Sequence, residues 1–308
     1  MPAPVIHGEA LSKRYGPLRA VDGLDFQVQA GECFGLLGPY GAGKTTTLRM
    51  SYGVVRPDSG RIRVFGLDLA SEGRVVRSRL GVTLQENVLI DGLTPVENLR
   101  VFGRYHLLRE PVLSQRIEGL IDHFELRSHA SVPAVALSGG FKRRLAIAMS
   151  LINEPELLIL DEPTTGLDPA VRLLLWNKVR ELKARGMTVL LTTHYMEEAE
   201  RLCDRVLIMS GGKALCEGAP RDLVRARLAR EVIEFDCSSD EEHAVLNGLA
   251  AHTTLRAGPR LFVFSESTAP IVERVRLLGG AERPFVVRPS NLEDLFLATT
   301  GASLGAGA

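Results

Sequence analysis

The 308-residue sequence has no excess of charge of either sign, because its 37 Lys and Arg residues balance its 37 Asp and Glu residues. This balance gives no sign of the basic surface that nucleic-acid binding requires, and we expect no nucleic-acid partner. Long apolar runs are also missing, since no segment approaches the ~18–20 consecutive apolar residues that span a bilayer. The N-terminus has no apolar run of signal-peptide length. We therefore expect a soluble, cytoplasmic chain that could act at a membrane only through another, membrane-spanning protein.

Cysteine is scarce, and its positions exclude a cysteine-based framework. The residues are Cys33, Cys203, Cys216 and Cys237. They form no C-x-x-C pair, so neither a zinc site nor a disulfide scaffold is indicated. Free thiols in a reducing compartment are the simpler interpretation. The length allows one large domain, or one large and one smaller domain.

Short apolar runs alternate with longer helical patterns, which predicts an α/β fold with a mostly parallel sheet. Several runs are apolar at consecutive positions, as strands buried on both faces are. These predicted strands cover residues 33–37, 81–84, 157–160, 188–192 and 205–209. Helices are expected between residue 85 and about residue 131, where Thr94-Pro95-Val96-Glu97 has the signature of a helix start. Another helix is predicted from Asp168-Pro169 to residue 186.

The pattern changes after about residue 220. A basic helical stretch continues to about residue 230, and short strands and helices follow it. Strands are predicted at residues 231–236, 260–267 and 284–290, and helices near residues 269–278 and 292–298. We therefore expect a large domain over residues 1–228 and a small α+β accessory domain over residues 229–308, with a frayed tail at residues 301–308.

The stretch GPYGAGKTT, residues 38–46, matches the phosphate-binding pattern G-x-x-x-x-G-K-[ST] between an apolar strand and a helical run. Its glycines let backbone N–H groups converge on phosphate oxygens, and the following helix N-terminus favours an anion. Lys44 is expected to bridge the β- and γ-phosphates, and the Thr45 hydroxyl to ligate Mg²⁺. The predicted nucleotide-binding residues of this loop are Gly38, Gly41, Ala42, Gly43, Lys44, Thr45 and Thr46.

Polar residues follow the predicted parallel strands. Asp161 and Glu162 come after the 157–160 strand, where an aspartate can hold the Mg²⁺ shell and a glutamate can polarise the attacking water. Gln85 and His194 end other apolar runs, although each alone would more often be structural. Open α/β sheets bind ligands at the carboxyl ends of their strands, so we expect these residues to meet there.

The base of the nucleotide is less clearly indicated. Residues 177–180, NKVR, do not match the guanine-specific N-K-x-D pattern, which disfavours a G protein. Tyr15 is a candidate platform for stacking on adenine.

A second glycine-lined helix start occurs at Ser138-Gly139-Gly140, and it is another potential anion site. Lys142, Arg143 and Arg144 fall in the first turns, where positive charge opposes the helix dipole. Either an anion bound nearby relieves this repulsion, or the three residues form a basic solvated face.

Together these motifs resemble the ATP-binding cassette (ABC) ATPases over roughly residues 4–225, because all of them occur in that family's order. The stretches LSGGFKRRL, DEPTTGLDP and the C-terminal NLEDLFLATTG are similar to one subgroup, the ATPases of drug-resistance and nodulation-factor (lipo-oligosaccharide) exporters. Phe141 stands where the wider family commonly has Gln.

The resemblance implies a P-loop ATPase domain, with a RecA-like mixed-sheet core and a helical subdomain at about residues 86–155. It further implies an ATP-dependent, head-to-tail homodimer, in which each ATP lies between one chain's phosphate loop and the other chain's Ser138-Gly139-Gly140. Glu162 would then be the catalytic base and His194 would contact the γ-phosphate. Gln85 would join the Mg²⁺ shell, and Asp168 would reach across the dimer.

The same resemblance implies a partner and a location. A separate polytopic membrane permease would dock near residues 86–108, with the chain held peripherally on the cytoplasmic face of the inner membrane. The C-terminal domain would assist dimerisation. One alternative is a soluble ABC ATPase of translation or repair, which the single cassette and the lack of a coiled-coil insertion disfavour. Another is a nucleotide-binding regulator that does not hydrolyse ATP, and Glu162 argues against it.

Tyr40 departs from the family pattern, which has a small polar residue here that faces Asp168 of the other subunit. Backbone N–H groups, Lys44 and Thr45 hold the phosphates, so the tyrosine is not expected to abolish binding. We predict near-normal ATP affinity with altered dimerisation or turnover.

Overall fold

The computed structural model describes residues 3–247, 253–279 and 284–300. The chain divides into two compact units, Met1–Glu217 and Gly218–Ala308. The strands of the first unit are β1 (Ile6–Tyr15), β2 (Leu18–Val28), β3 (Cys33–Leu37), β4 (Ser59–Val64), β5 (Leu67–Asp68), β6 (Leu80–Thr83), β7 (Leu157–Asp161), β8 (Thr188–Thr193), β9 (Arg205–Ser210) and β10 (Lys213–Gly218). Its helices are α1 (Lys44–Ser51), α2 (Leu69–Ser78), α3 (Pro95–Tyr105), α4 (Val112–His123), α5 (Gly139–Ser150), α6 (Pro169–Ala184) and α7 (Met196–Leu202).

A central sheet with the strand order β10-β9-β3-β8-β7-β6 carries the site. Its strands β9, β3, β8, β7 and β6 pair in parallel. Every residue of β3, β7 and β8 is buried, as expected for consecutive apolar positions covered on both faces. The sequence prediction of these strands is confirmed within one residue at each end. The carboxyl ends of β3, β8, β7 and β6 therefore lie side by side at one edge.

A second, antiparallel sheet in the order β2-β1-β4-β5 shares a core with the central sheet. Apolar side chains from β1, β2 and β4 pack with Leu36 of β3, Leu48 of α1 and Ile159 of β7. The antiparallel sheet thus supports α1 from the side, and with it the loop that precedes this helix.

Helices α3, α4 and α5 lie within the segment predicted as a helical subdomain. The start of α3 is a capping box: the Thr94 hydroxyl accepts from the Glu97 N–H, the Glu97 carboxylate accepts from the Thr94 N–H, and Pro95 follows. This confirms the predicted helix start. Among the described residues, no helix has both the length and the apolar character needed to cross a membrane.

The second unit contains α8 (Pro220–Arg227), β11 (Glu231–Asp236), α9 (Ser239–Leu246), β12 (Thr253–Ala257), β13 (Arg260–Ser265), α10 (Ala269–Gly279), β14 (Phe285–Pro289) and α11 (Leu292–Thr300). Its strands form an antiparallel sheet in the order β12-β13-β11-β14. The unit begins at Gly218 and not at residue 229, because α8 packs against α11. The sequence prediction missed α9 and β12, and the predicted tail at residues 301–308 lies outside the described residues.

Candidate functional site

The loop between β3 and α1 has a shape that only glycine permits at two positions. Gly43 has φ 101°, and a Cβ there would lie 2.3 Å from the Ala20 carbonyl oxygen. A Cβ on Gly38 would lie 2.5 Å from the Met209 carbonyl oxygen. Helix α1 begins directly after Gly43, so the N–H groups of its first turn have no intrahelical acceptor and point into the loop. The loop is therefore a preformed anion cradle.

Lys44 closes over this cradle although its ammonium group is almost completely buried. Its side chain is 5% exposed, and Nζ donates to the carbonyl oxygens of Gly38 at 2.7 Å and Pro39 at 3.1 Å. Burial lowers the pKa of Lys44, while the carboxylates of Glu162 and Asp161 act in the opposite direction. A buried cation bound to neutral carbonyls can exchange them for phosphate oxygens, so Lys44 fits a nucleotide phosphate chain.

Thr192 of β8 positions the two carboxylates at the end of β7. It is paired with Asp161 in register, and its hydroxyl donates to Asp161 Oδ1 at 2.6 Å. The Glu162 N–H donates to the Thr192 hydroxyl at 3.0 Å and to its carbonyl oxygen at 3.1 Å. Thr192 was not predicted as a site residue, although a threonine near the carboxyl end of a buried strand was an available signal.

The backbone turns sharply at Glu162, which has φ 45°, a left-handed conformation that is uncommon for a residue other than glycine. This turn directs its carboxylate toward Thr165 and Gln85. Glu162 Oε2 accepts from Thr165 Oγ1 at 3.0 Å and from Gln85 Nε2 at 3.4 Å. The structure thus brings Gln85 and Glu162 together, as the sequence indicated.

His194, which follows β8, completes this group. Its Nδ1 lies 3.3 Å from Glu162 Oε2, without the alignment of a hydrogen bond. The imidazole beside it lowers the pKa of Glu162 against the opposing effect of burial, and the Thr165 hydroxyl and the Lys44 charge act with His194. The Glu162 carboxylate is consequently ionised at neutral pH and able to accept a proton.

Tyr40 belongs to the same cluster. The residue is 76% exposed, and its ring centroid lies 5.7 Å from that of His194 and 5.8 Å from the Lys44 ammonium. The loop tyrosine therefore contacts the site of its own chain, a neighbourhood that the sequence did not predict.

The donor set at this edge suits Mg²⁺. Thr45, Asp161 and Gln85 offer a hydroxyl, a carboxylate and an amide oxygen, the ligand types that this cation prefers. Asp161 is 2% exposed, and burial together with the neighbouring Glu162 raises the pKa of its carboxyl group. A divalent cation would compensate this concentration of buried negative charge.

Ser138, Gly139 and Gly140 form a second group with the start of α6. Ser138 occupies the cap position of α5 without using its hydroxyl as a cap, and both it and Gly139 are exposed. A Cβ on Gly140 would lie 3.0 Å from the Val171 side chain in the first turn of α6. Asp168 caps that helix, since its Oδ1 accepts from the Val171 N–H at 3.0 Å. This surface can still offer a hydroxyl, backbone N–H groups and a carboxylate oxygen to a ligand or partner.

Of the two interpretations of the basic residues on α5, the solvated basic face does not hold for Arg143 and Arg144. Both are buried, at 4% and 8% exposure, and both donate to carbonyl oxygens. Backbone carbonyl oxygens therefore compensate the charges of Arg143 and Arg144, for which the sequence suggested a bound anion. Lys142 lies at the surface of α5, and its Nζ donates to the Val135 carbonyl oxygen at 3.2 Å.

Tyr15 ends β1; the residue is 46% exposed, and the Lys13 ammonium lies 5.7 Å from its ring centroid. An exposed ring at a strand end is compatible with stacking on a base. Its role in adenine binding stays a prediction.

Comparison with known proteins adds a family and several close relatives. A family described as "ABC transporter" matches residues 21–165. The "Nod factor export ATP-binding protein I" of Ralstonia nicotianae is 42% identical over 98% of this chain and 95% of its own length. The protein of the same name from Burkholderia lata is 44% identical over 99% of both chains.

Solved structures agree with this comparison. An "ATP binding subunit of ABC transporter" is 32% identical with a TM-score of 0.66, covering 72% of this chain and 92% of that one. The cbiO1 protein of Clostridium perfringens, described as part of the transporter complex cbiONQ, is 28% identical with a TM-score of 0.67, covering 73% and 92%.

Proposed function

This chain belongs to the ABC transporter family as an ATP-binding, ATP-hydrolysing subunit, and from this premise we propose that it energises the export of Nod-factor-type lipo-oligosaccharides. The observation that carries the proposal is the extent of the match to Nod factor export proteins, which includes the small C-terminal unit. A match confined to the ATPase unit would support only a shared use of ATP, and not a shared exported compound. The alternative, a soluble ABC ATPase of translation or repair, is not favoured, because the Nod factor export proteins match this chain over nearly its whole length.

ATP is bound by the cradle of residues 38–46. Lys44 exchanges its two carbonyl acceptors for phosphate oxygens, and the first turn of α1 donates backbone N–H groups to them. Tyr15 stacks on the adenine. Thr45, Gln85 and Asp161 are the residues that would hold Mg²⁺, which when bound neutralises charge on the phosphate oxygens.

Glu162 is the general base for hydrolysis. Its lowered pKa keeps the carboxylate ionised, and its contacts with Thr165 and Gln85 hold it at the sheet edge beside the cradle. His194, beside the same oxygen, is placed to contact the γ-phosphate. These groups can activate a water molecule and orient it toward the phosphate chain.

Two chains associate head to tail around ATP. The support is that one chain presents two helix starts of the kind that can hold an anion: the cradle at α1, and the start of α5, where Ser138 and Gly139 are exposed. In this arrangement the second group of one chain covers the ATP in the cradle of the other. Asp168, at the adjacent start of α6, then reaches the partner chain. The C-terminal unit assists this association.

A separate membrane permease docks on a groove of about 250 Å³ beside β6. Its lining includes Tyr52, Val88, Phe102 and His106, of which Val88 is 60% exposed. Thr83 and Val88, which lie on either side of Gln85 in the sequence, both line this groove. A permease segment seated in it would therefore reach, through residues 85–88, the catalytic edge, meaning the carboxyl ends of β6, β7 and β8 where Gln85, Glu162 and His194 meet. The chain would thereby be held peripherally on the cytoplasmic face of the inner membrane.

Export from cells tests the proposal directly. Cells that carry this chain and its permease are supplied with a radiolabelled lipo-oligosaccharide precursor, and secreted and retained label are measured. Lys44→Ala is expected to abolish secretion, whereas Lys213→Ala, a change of the same type at a 64% exposed side chain, leaves it normal. Normal secretion with the Lys44 variant, after its loss of ATPase activity has been verified, would contradict the exporter function.

A further inference from the structure

Arg143 of α5 is a buried cation that binds backbone oxygens instead of a carboxylate. All its acceptors belong to the segments at the ends of β6 and β7, which lead to Gln85 and Glu162. Nε donates to the Pro163 carbonyl at 2.7 Å, Nη2 to those of Asp161 at 2.9 Å and Glu162 at 3.1 Å, and Nη1 to those of Leu84 at 2.5 Å and Gln85 at 3.3 Å and to Asn87 Oδ1 at 3.2 Å.

The shape of the guanidinium group makes this arrangement specific. The group is planar and rigid, and its N–H donors diverge in fixed directions. Nε and Nη2 bind the segment after β7, while Nη1 binds the segment after β6. One side chain therefore fixes the spacing between the segment that carries Glu162 and the segment that carries Gln85. A lysine, with its donors on a single nitrogen, cannot span both.

The charge of Arg143 also bears on the site. Burial lowers the pKa of Arg143 to about 10, against the opposing effect of the Asp161 carboxylate, so the group stays charged at neutral pH. A buried cation is costly unless nearby groups compensate it. Here carbonyl dipoles surround it, and the carboxylates of Asp161 and Glu162 lie close by. Arg143 thus stabilises the negative charge of the catalytic edge while it holds the backbone there.

Arg143 lies one turn into the helix that begins with Ser138-Gly139-Gly140. Its side chain ties that helix to the residues that handle the chain's own ATP. In the head-to-tail dimer, on which this step rests, the start of the same helix covers the ATP of the partner. A shift of the backbone around Glu162 or Gln85 in one site is therefore passed along α5 to the other site.

We propose that Arg143 is a positioning residue that couples the two ATP sites of the dimer. It transmits the state of Glu162 and Gln85 in one site to the Ser138-Gly139-Gly140 segment that completes the other. It touches neither the nucleotide nor the attacking water.

The Hill coefficient of ATP hydrolysis by the purified full chain tests this role. The wild-type coefficient should exceed 1 and approach the limit of about 2 set by the number of coupled sites. Arg143→Lys should bring it close to 1 and lower turnover on the order of 100-fold, because the catalytic groups lose their alignment. The affinity for ADP, which needs only the cradle of one chain, should change less than about twofold.

Arg144→Met is the matched control, because Arg144 is also buried on α5 but donates to the carbonyls of Phe124 and Glu125, away from the nucleotide residues. It should lower the unfolding temperature and keep the Hill coefficient. Asn87→Ala removes one acceptor of Arg143 and, because Asn87 is exposed, leaves no cavity in the core. This variant should lower the Hill coefficient partially.

The outcomes separate this inference from the dimer itself. If Glu162→Gln forms an ATP-dependent dimer and wild type is cooperative, but Arg143→Lys and Asn87→Ala keep the wild-type coefficient, the coupling role is refuted and the dimer stands. An equal loss of cooperativity in Arg144→Met would also refute it. If wild type neither dimerises nor shows cooperativity, the dimer and the coupling fail together.

Discussion

The ring of Tyr40 lies against the imidazole of His194 in the same chain, with 5.7 Å between the ring centroids. The Lys44 ammonium lies 5.8 Å from the centroid of the Tyr40 ring. Tyr40 thus joins the phosphate loop to the end of β8. In the proposed dimer, the 76% exposure of Tyr40 also leaves its ring in the path of the partner chain.

Replacing Tyr40 with Asn should remove both the contact with His194 and the bulk at the interface. We expect ADP affinity within about twofold of wild type, since the backbone and Lys44 hold the phosphates. Dimerisation with ATP and turnover should both increase, because closure is no longer hindered. Equilibrium binding, sedimentation and phosphate release measure these quantities.

Tyr105→Asn is the matched control for this change, because Tyr105 is also 76% exposed but lies on α3. It should leave the ATPase activity of the isolated chain unchanged. A Tyr40→Asn protein with wild-type turnover and dimerisation would show that the tyrosine has no influence on the site.

Thr192→Val should impair both stability and hydrolysis. The valine keeps the shape of the side chain but leaves Asp161 Oδ1 without its donor and the Glu162 N–H with only the carbonyl acceptor. A buried polar group that loses its partner costs about 1–3 kcal/mol. Chemical unfolding and ATPase assays measure the two effects.

Thr188→Val, a change of the same type in the same strand, separates them. Thr188 is buried and accepts from the Gly31 N–H at the opposite end of β8. We expect Thr188→Val to lose about as much stability as Thr192→Val while its ATP turnover stays normal. If both variants lose turnover equally, Thr192 has no specific role in positioning the carboxylates.

Glu198 on α7 should make the stability of the chain depend on pH. Its Oε1 accepts from Thr164 Oγ1 and Trp176 Nε1, both at 2.8 Å, and burial raises its pKa above the ordinary value of 4.5. A carboxyl group with a raised pKa in the folded state stabilises it most below the unfolded pKa and loses this contribution as pH rises through the folded pKa. Wild type should therefore lose stability relative to Glu198→Gln as pH rises above about 4.5.

Calorimetry of Glu198→Gln and wild type between about pH 5 and pH 8 checks this sign. The unfolding temperature of the variant, relative to wild type, should increase across the range. The neighbouring Glu197→Gln, at a 58% exposed side chain, should give a nearly constant difference. If the unfolding temperature of Glu198→Gln relative to wild type decreased with rising pH, the raised pKa of Glu198 would be contradicted.

The parts that the sequence predicted well depend on local patterns. The phosphate loop needs glycine at Gly38 and Gly43 because of backbone space, and this leaves a mark in consecutive residues. The capping box at Thr94 and Glu97 is equally local. Gln85, Glu162 and His194 met as expected because parallel strands deliver their carboxyl ends to one edge.

The contacts that the sequence did not predict join distant segments. Arg143, next to the chemically similar Lys142 and Arg144, faces the catalytic edge only because of how α5 packs on β6, and it binds Leu84, which lies 59 positions away. Thr192 binds Asp161 through the pairing of β7 with β8. The start of the second unit likewise depends on the packing of α8 on α11.

The composite site between two chains is the central claim, and the mass of the Glu162→Gln protein in solution with ATP tests it most directly. Without the carboxylate that we propose as the general base, bound ATP should not be hydrolysed, so the closed pair should accumulate. We predict a dimer with ATP and a monomer with ADP. A second change, Ser138→Arg, which places bulk on the exposed start of α5, should restore the monomer. A Glu162→Gln protein that binds ATP yet remains monomeric would contradict the account.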